Sequence, residues 1–314
     1  MKYIIRKFIT LIITLLLISI LTFAAFSVIP GDASLSKLGT EATPERIAAM
    51  REEMGLDKPL GQRFASWLSG ALHGDFGESL QYSQTKVSEL LKDRLPVTVL
   101  LSVLSLCLIL LGAVPLALLS VKYQSRWQDT LISQAVQTVM AVPSFFLGIL
   151  ITYLLGMTLK LFQPGKFIPL EEDLRGCVQY LFFPALAVAL PKGAMVVKFI
   201  RNSVLGEMQK DYVRTARSKG NRKNRILYVH VLKNALIPVI TFGAMIAAQI
   251  LAGSIVVEQV FSVPGMGRLL ITAISARDYP VVQAVVIYIT ALVVIMNFGV
   301  DLLYQLADPR VRGE

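Results

Sequence analysis

The sequence predicts an all-α membrane protein with six transmembrane helices. Three observations carry that prediction. Of the 314 residues 54% are hydrophobic, and the mean hydropathy is +0.62. Six apolar runs match the roughly 20 residues needed to cross a bilayer. Lys and Arg also divide unequally between alternate loops, as the positive-inside rule expects. In a polar chain the net charge of +10 would suggest nucleic acid, but at this hydropathy the partner to expect is membrane lipid, with no nucleic acid.

The first run, FITLIITLLLISILTFAAFSVI over 8–29, follows Lys2, Arg6 and Lys7. It is longer than the apolar core of a cleaved signal and lacks a clear A-x-A site, so it reads as a retained signal anchor. Residues 31–93 then form the largest extramembrane piece. The helical periodicity of PERIAAMREEMGL and the apolar Phe64, Trp67, Leu68 and Leu72 predict short helices against the outer surface, a platform for a partner. The remaining spans are expected near 97–120, 131–158, 179–199, 235–257 and 281–306. Pro143, Pro184 and Pro191 interrupt the third and fourth, where each removes a backbone donor and can kink a helix. Pro264 and Gly265 in SVPGMGRLL signal an outer turn.

Polar residues in the spans have ordinary readings. Gln134, Gln137 and Gln249 can line a pathway or bond a neighbouring helix. Asn297 and Asp301, four apart, share a face and bond another helix or reach the interface; Lys192 and Lys198 can snorkel to the inner interface.

Orientation follows from charge. With the N-terminus inside, the pieces 1–7, 121–130, 192–234 and 307–314 hold 18 of the 31 basic residues, and 15 of the 21 acidic residues fall outside. Both termini are then cytoplasmic. Eleven of those eighteen lie in the single loop 192–234. Its segment RTARSKGNRKNR (214–225) has six basic residues and no acidic one. Charge alone is explained by topology and anionic lipid. The pattern is not. From Glu207 to Lys219 there is no Pro or Gly, and Met208, Tyr212, Val213 and Ala216 recur at helical spacing. Gly220 supplies the residue that tolerates a left-handed conformation just past a helix. A second helix is expected from about Asn224 into span five, making an elbow whose small Ala216 allows a partner to approach.

The stretch DYVRTARSKGNRKNRILYVHVLKNALIPVI resembles the cytoplasmic EAA loop of ABC-transporter permeases of the dipeptide, oligopeptide and nickel importer family. Arg214, Thr215 and Ala216 stand where E-A-A would, Gly220 keeps its place, and His230-Val231-Leu232-Lys233 fill the I-x-L-P positions. The consensus Glu and Pro are absent. VIPGDAS, MGLDKPL, HGDFGESL, RLPVTVL, VFSVPGMGRLL, RDYPVVQ and VDLLYQLADPRVR resemble further family landmarks in the family's order.

The resemblance implies a type I ABC importer permease fold: an N-terminal helix with an extracytoplasmic segment over 1–93, and a transmembrane domain over 94–314 with its coupling loop at 207–233. It implies that Asp211, Tyr212, Arg214, Thr215, Ala216, Arg217, Gly220, His230 and Leu232 serve ATPase coupling. It also implies a second homologous permease in a heterodimer, two cytoplasmic ABC ATPase subunits and an extracytoplasmic substrate-binding protein. Peptides are the expected cargo, with nickel or a metal chelate as the alternative.

What the chain lacks agrees. There is no G-x-x-x-x-G-K-[ST], H-E-x-x-H or G-x-S-x-G, so no catalytic, cofactor or metal residues are expected and ATP must be hydrolysed by another subunit. His73 and His230 are assigned to opposite faces of the membrane, and Cys107 and Cys177 read as packing residues. A secondary transporter or channel is the more remote alternative; it would need no elbow and often carries internal repeats.

Overall fold

The computed structural model describes residues 2–28, 43–53, 57–82 and 85–307. Most of VIPGDAS, the first three residues of MGLDKPL, the final seven residues and the side chain of Asp301 lie outside the described residues. The described chain is helical, with one isolated antiparallel bridge between Glu78 and Lys86. It divides into two compact units, residues 1–98 with 264–294, and 99–263 with 295–314. Residues 264–294 thus fold with the N-terminal part, which the division expected at 93/94 does not anticipate.

In the first unit α1 (Lys2–Val28) is apolar nearly all round and largely uncovered, as suits a helix facing lipid. Helices α2 (Pro44–Glu53) and α3 (Leu60–Leu72) follow. Phe64 and Trp67 of α3 set their rings 5.4 and 5.6 Å from Phe23 of α1, so these aromatics rest on a helix of the chain itself. Helix α4 (Val87–Lys122) starts ten residues before its expected apolar span and continues into the second unit. Its first turns pack with α10 (Met266–Ser275) and the start of α11 (Tyr279–Ala307), burying Val87, Leu91, Met266, Leu269 and Val285.

A buried carboxylate fastens this unit. Asp278, fully enclosed, accepts the backbone N–H of Leu80 at 3.1 Å and of Gln81 at 3.2 Å, and the hydroxyl of Ser79. Three donors offset the desolvation that an enclosed carboxylate would otherwise suffer. Two motifs far apart in sequence, HGDFGESL and RDYPVVQ, meet at this point. The turn signalled by Pro264 and Gly265 falls just before them, at Phe261 and Ser262. Gly265 has φ −102°, and the positive φ, 56°, falls on Ser262.

The second unit contains α5 (Trp127–Ala141) and α6 (Ser144–Ile151), the latter prolonged by a π-helical stretch, Thr152–Thr158. It also holds α7 (Leu174–Glu207) and α8 (Asp211–Ser218). The long run α9 is built of Lys223–Arg225, the π-helical Ile226–Val231 and Leu232–Val260. Helix α7 is the centre, packed against α5, α6 and α9. Its small Ala185, Ala189, Gly193 and Ala194 are buried and let neighbouring backbones come close.

The prolines behave differently from one another. Val142 and Pro143 are extended and the chain bends by 99° between α5 and α6, far more than a kink. Pro184 and Pro191, expected to interrupt span four, lie buried inside a helix that runs unbroken. Gly148 of α6 permits the bend to close on the end of α9, since a Cβ there would meet the Phe261 ring at 3.1 Å.

Four helices, α1, α4, α7 and α11, are long and apolar enough to cross a membrane, and two bent pairs raise the number to six if each is one span. The second bent pair lies within α9, with a 53° break. Counted with each bent pair as one span, the expected six correspond to four continuous helices and two broken ones among the described residues.

Candidate functional site

The basic loop forms an elbow at the end of α7. The helix expected from Glu207 to Lys219 is shorter, because Glu207 is the last residue of α7, Lys210 is extended (φ −72°, ψ 153°) and α8 begins at Asp211. Glu207 organises the joint. Its carboxylate accepts the Tyr212 hydroxyl at 2.8 Å and pairs with Lys210. Burial, foremost, raises the Tyr212 pKa above its ordinary 10, and the bond to Glu207 acts the same way, so the phenol stays a donor. Asp211 in the first turn of α8 and Arg217 in the last both suit the helix dipole.

Gly220 ends α8 as the sequence requires. Its φ is +76°, its N–H reaches the carbonyl of Arg217 at 3.0 Å, and the N–H of Asn221 reaches that of Ala216 at 3.4 Å. Those two bonds are the Schellman pattern, and the Asn221 side chain adds a third bond to Ala216 at 3.1 Å. The chain reverses here and rises into α9.

The elbow has two faces. Val213 and Ala216 are buried, and α8 packs on the Ile226–Val231 segment. At 8% exposure Ala216 is turned into the chain, so its small size serves internal packing and leaves no room for the partner approach expected of it. Asp211, Arg214, Thr215, Arg217 and Ser218 face outward. The Arg214–Asp211 pair at 3.6 Å is almost wholly exposed and holds little energy. The elbow therefore gathers Asp211, Tyr212, Arg214, Thr215, Ala216, Arg217 and Gly220. His230 belongs to the Ile226–Val231 segment on which α8 packs and Leu232 follows it in α9, both half-buried.

Six residues before Glu207, Arg201 ties α7 to two other helices. Its guanidinium donates to Asp129 at 3.1 and 2.9 Å and to Ser120 at 2.9 Å, and Ser120 donates to Asp129 at 2.5 Å. Asp129 stands in the first turn of α5 and Ser120 near the end of α4. A planar guanidinium in two-point contact with a carboxylate fixes orientation as well as distance. Sequence reasoning missed this buckle, though Asp129 is the one acidic residue in the stretch 121–130.

The seam between α7 and α9 is antiparallel and carries polar contacts at three levels. Tyr180 donates to the Phe261 carbonyl at 2.5 Å, Lys192 Nζ to Gln249 Oε1 at 2.8 Å, and Ser203 to the Ala235 carbonyl at 3.0 Å. Between the last two, Phe199 and Phe242 stack at 4.1 Å. At 1.5 Å per residue Lys192 is about 18 Å along α7 from Tyr180 and about 17 Å from Ser203, near the middle of the seam. A lysine at the centre of a membrane helix costs ~2.5–3.5 kcal/mol on insertion scales. The snorkelling expected of Lys192 toward the elbow end does not occur. Side chains leave a helix tilted toward its N-terminus, away from that end, and the amine finds Gln249 instead. Gln134 and Gln137 lie exposed on α5, and Asn297 exposed on α11.

Residues 113–313 match the family described as binding-protein-dependent transport system inner membrane component, and residues 1–102 match its N-terminal companion. A Brucella abortus protein whose name assigns it to a peptide transport system as permease is 37% identical over 298 residues, 95% of each chain. The oligopeptide transport system permease protein AppB of Bacillus subtilis is 35% identical over 98% of each chain. The glutathione transport system permease protein GsiC of Salmonella typhimurium is 33% identical over 99% of each.

Proposed function

The chain belongs to the binding-protein-dependent transport system inner membrane components, and from that premise we propose that it forms half the pathway of an ATP-driven peptide importer. It is a multi-pass plasma-membrane permease of the ABC importers, a transport subunit and not an enzyme. Such a permease works with ATPase subunits and a substrate-binding protein. The finer reading is a heterodimer with a second homologous permease, both termini in the cytoplasm, and the outer segment before α4 as a platform for the binding protein. The cargo is a dipeptide or oligopeptide, which the names of the peptide, oligopeptide and glutathione permeases support.

The observation that carries this reading is the elbow. Helix α8 ends in a rigid Schellman turn, presents Asp211, Arg214, Thr215 and Arg217 outward, and is held to the end of α7 through Glu207, Tyr212 and Lys210. A displacement of α8 by a docked ATPase is passed to α7, and through Arg201 and Asp129 to α5. Tyr212, Ala216 and Gly220 keep the elbow in shape; His230 and Leu232 anchor its second limb in α9.

The test is co-reconstitution in sealed vesicles with the second permease, the ATPases and the binding protein. ATP-dependent accumulation of a labelled peptide is expected, with none when nucleotide or ATPase is omitted. Uptake that continues without nucleotide would identify a secondary transporter. Uptake of nickel in place of peptide would move the cargo to the alternative class.

A further inference from the structure

Inside α7, away from the elbow, the chain carries a cation whose partner is not an anion. Lys192 is half-buried near the middle of the α7–α9 seam, and Gln249 offers it an acceptor but no charge. An ammonium has three donors, and one hydrogen bond to a neutral amide leaves two of them and the whole charge unanswered. Among the described residues no carboxylate pairs with Lys192.

The surface beside it is open. Gln249 is exposed, and so are Thr241, Met245 and Val256 on the same helix. Met245, Gln249 and Val256 are four and seven residues apart, the spacing of one face of α9. That face cannot lie against hydrocarbon with a bare ammonium beside it, so it opens on water or on another polar surface. Gln249 holds the Lys192 side chain across the seam, near the middle of its length.

We propose that Lys192, held by Gln249, is an anion subsite that receives the carboxylate of the peptide during passage. This rests on the peptide-importer reading above. Every unblocked peptide carries a C-terminal carboxylate, and that is the end of the peptide which a fixed ammonium can compensate as water is stripped from it. A charge-assisted bond from ammonium to carboxylate supplies it. Met245 and Val256 on either side offer apolar surface that accepts side chains without selecting among them.

The experiment uses the complete reconstituted transporter with saturating binding protein and two probes, tri-alanine with a free C-terminus and tri-alanine amide. In the wild type the ratio of carboxylate to amide uptake is the reference. Lys192→Gln is expected to lower that ratio about tenfold, equivalent to ~1.4 kcal/mol, with amide uptake preserved as the readout of intact folding and coupling. Lys192→Arg keeps the charge and should retain most of the preference, whereas Gln249→Leu removes the acceptor that holds the amine across the seam and should lower the preference part of the way. An equal fall for both probes in Lys192→Gln overturns the proposal, since it would make Lys192 a packing residue or the ion partner of another subunit. Unchanged uptake of both, or loss of the preference in Lys192→Arg, overturns it too. A wild-type complex that moves neither peptide fails the cargo reading itself, and the subsite with it.

Discussion

Replacing Gly220 by valine changes the shape of the elbow and leaves its charge alone. The residue has φ +76° and a Cβ built on it meets nothing within 4 Å, so the cost is not a clash with neighbours. It is the backbone's own: a Cβ in the left-handed region costs ~1–2 kcal/mol, toward the upper end for a β-branched side chain. If the ATPase docks on the conformation seen here, ~2 kcal/mol corresponds to a roughly 30-fold weaker complex. The assay is a titration of the permease pair in nanodiscs with the ATPase subunit, with uptake measured in parallel. Gly220→Asn is the control, because Asn tolerates this conformation and should dock nearly as well as the wild type. Arg222→Gln, exposed beyond α8, should also change little. Wild-type docking by Gly220→Val, together with loss of function on removing Arg214, Arg217 and Arg222, would refute the shape argument and make the loop a basic patch.

Two further predictions follow from the buried polar contacts. Asp129→Ala leaves Arg201, whose side chain is only 26% exposed, without its carboxylate. A loss of ~2–3 kcal/mol is expected as a lower unfolding temperature, and Arg201→Met should add less in the double variant than alone; strict additivity would show that the two do not interact. For topology, a cysteine at the exposed Ser218 should react with an impermeant label only after the membrane is opened, and one at the exposed Ser69 should react from outside. Ser79 is 3% exposed and bonded to Asp278, so a cysteine there should stay unlabelled from either side in the folded protein. Labelling of Ser218→Cys in intact cells would reverse the assigned orientation.

Much of the fold was legible because its signals are local. A run such as FITLIITLLLISILTFAAFSVI specifies a lipid-facing helix from composition alone, for no arrangement of neighbours makes it soluble. The end of α8 was equally legible, since Gly220 past an amphipathic stretch leaves few conformations for the turn. Its beginning was not. Nothing in EMQKDYVR announces that Glu207 closes α7 and that Lys210 is extended, because that joint is made by side-chain bonds from Lys210 and Tyr212.

The prolines mark the boundary between the two kinds of information. Pro143, Pro184 and Pro191 each remove one N–H, and the sequence treats them alike. Only packing separates them: α7 is enclosed by α5, α6 and α9 and stays whole through two prolines, whereas at Pro143 the chain turns by 99° against the end of α9. The same holds for the charges. The sequence presents Lys192 as a snorkelling side chain, Arg201 as one basic residue of a loop and Asp278 as part of a motif. Their partners lie 57, 72 and 199 residues away along the chain. The sequence by itself determined where helices start to be apolar, which side is basic and where one helix must end, because backbone sterics and transfer from water act within a few residues. Which way Ala216 faces, which proline bends the chain and what answers each buried charge were decided by the tertiary structure, since a desolvated ion or a missing donor is compensated by whatever group packing brings within about 3 Å.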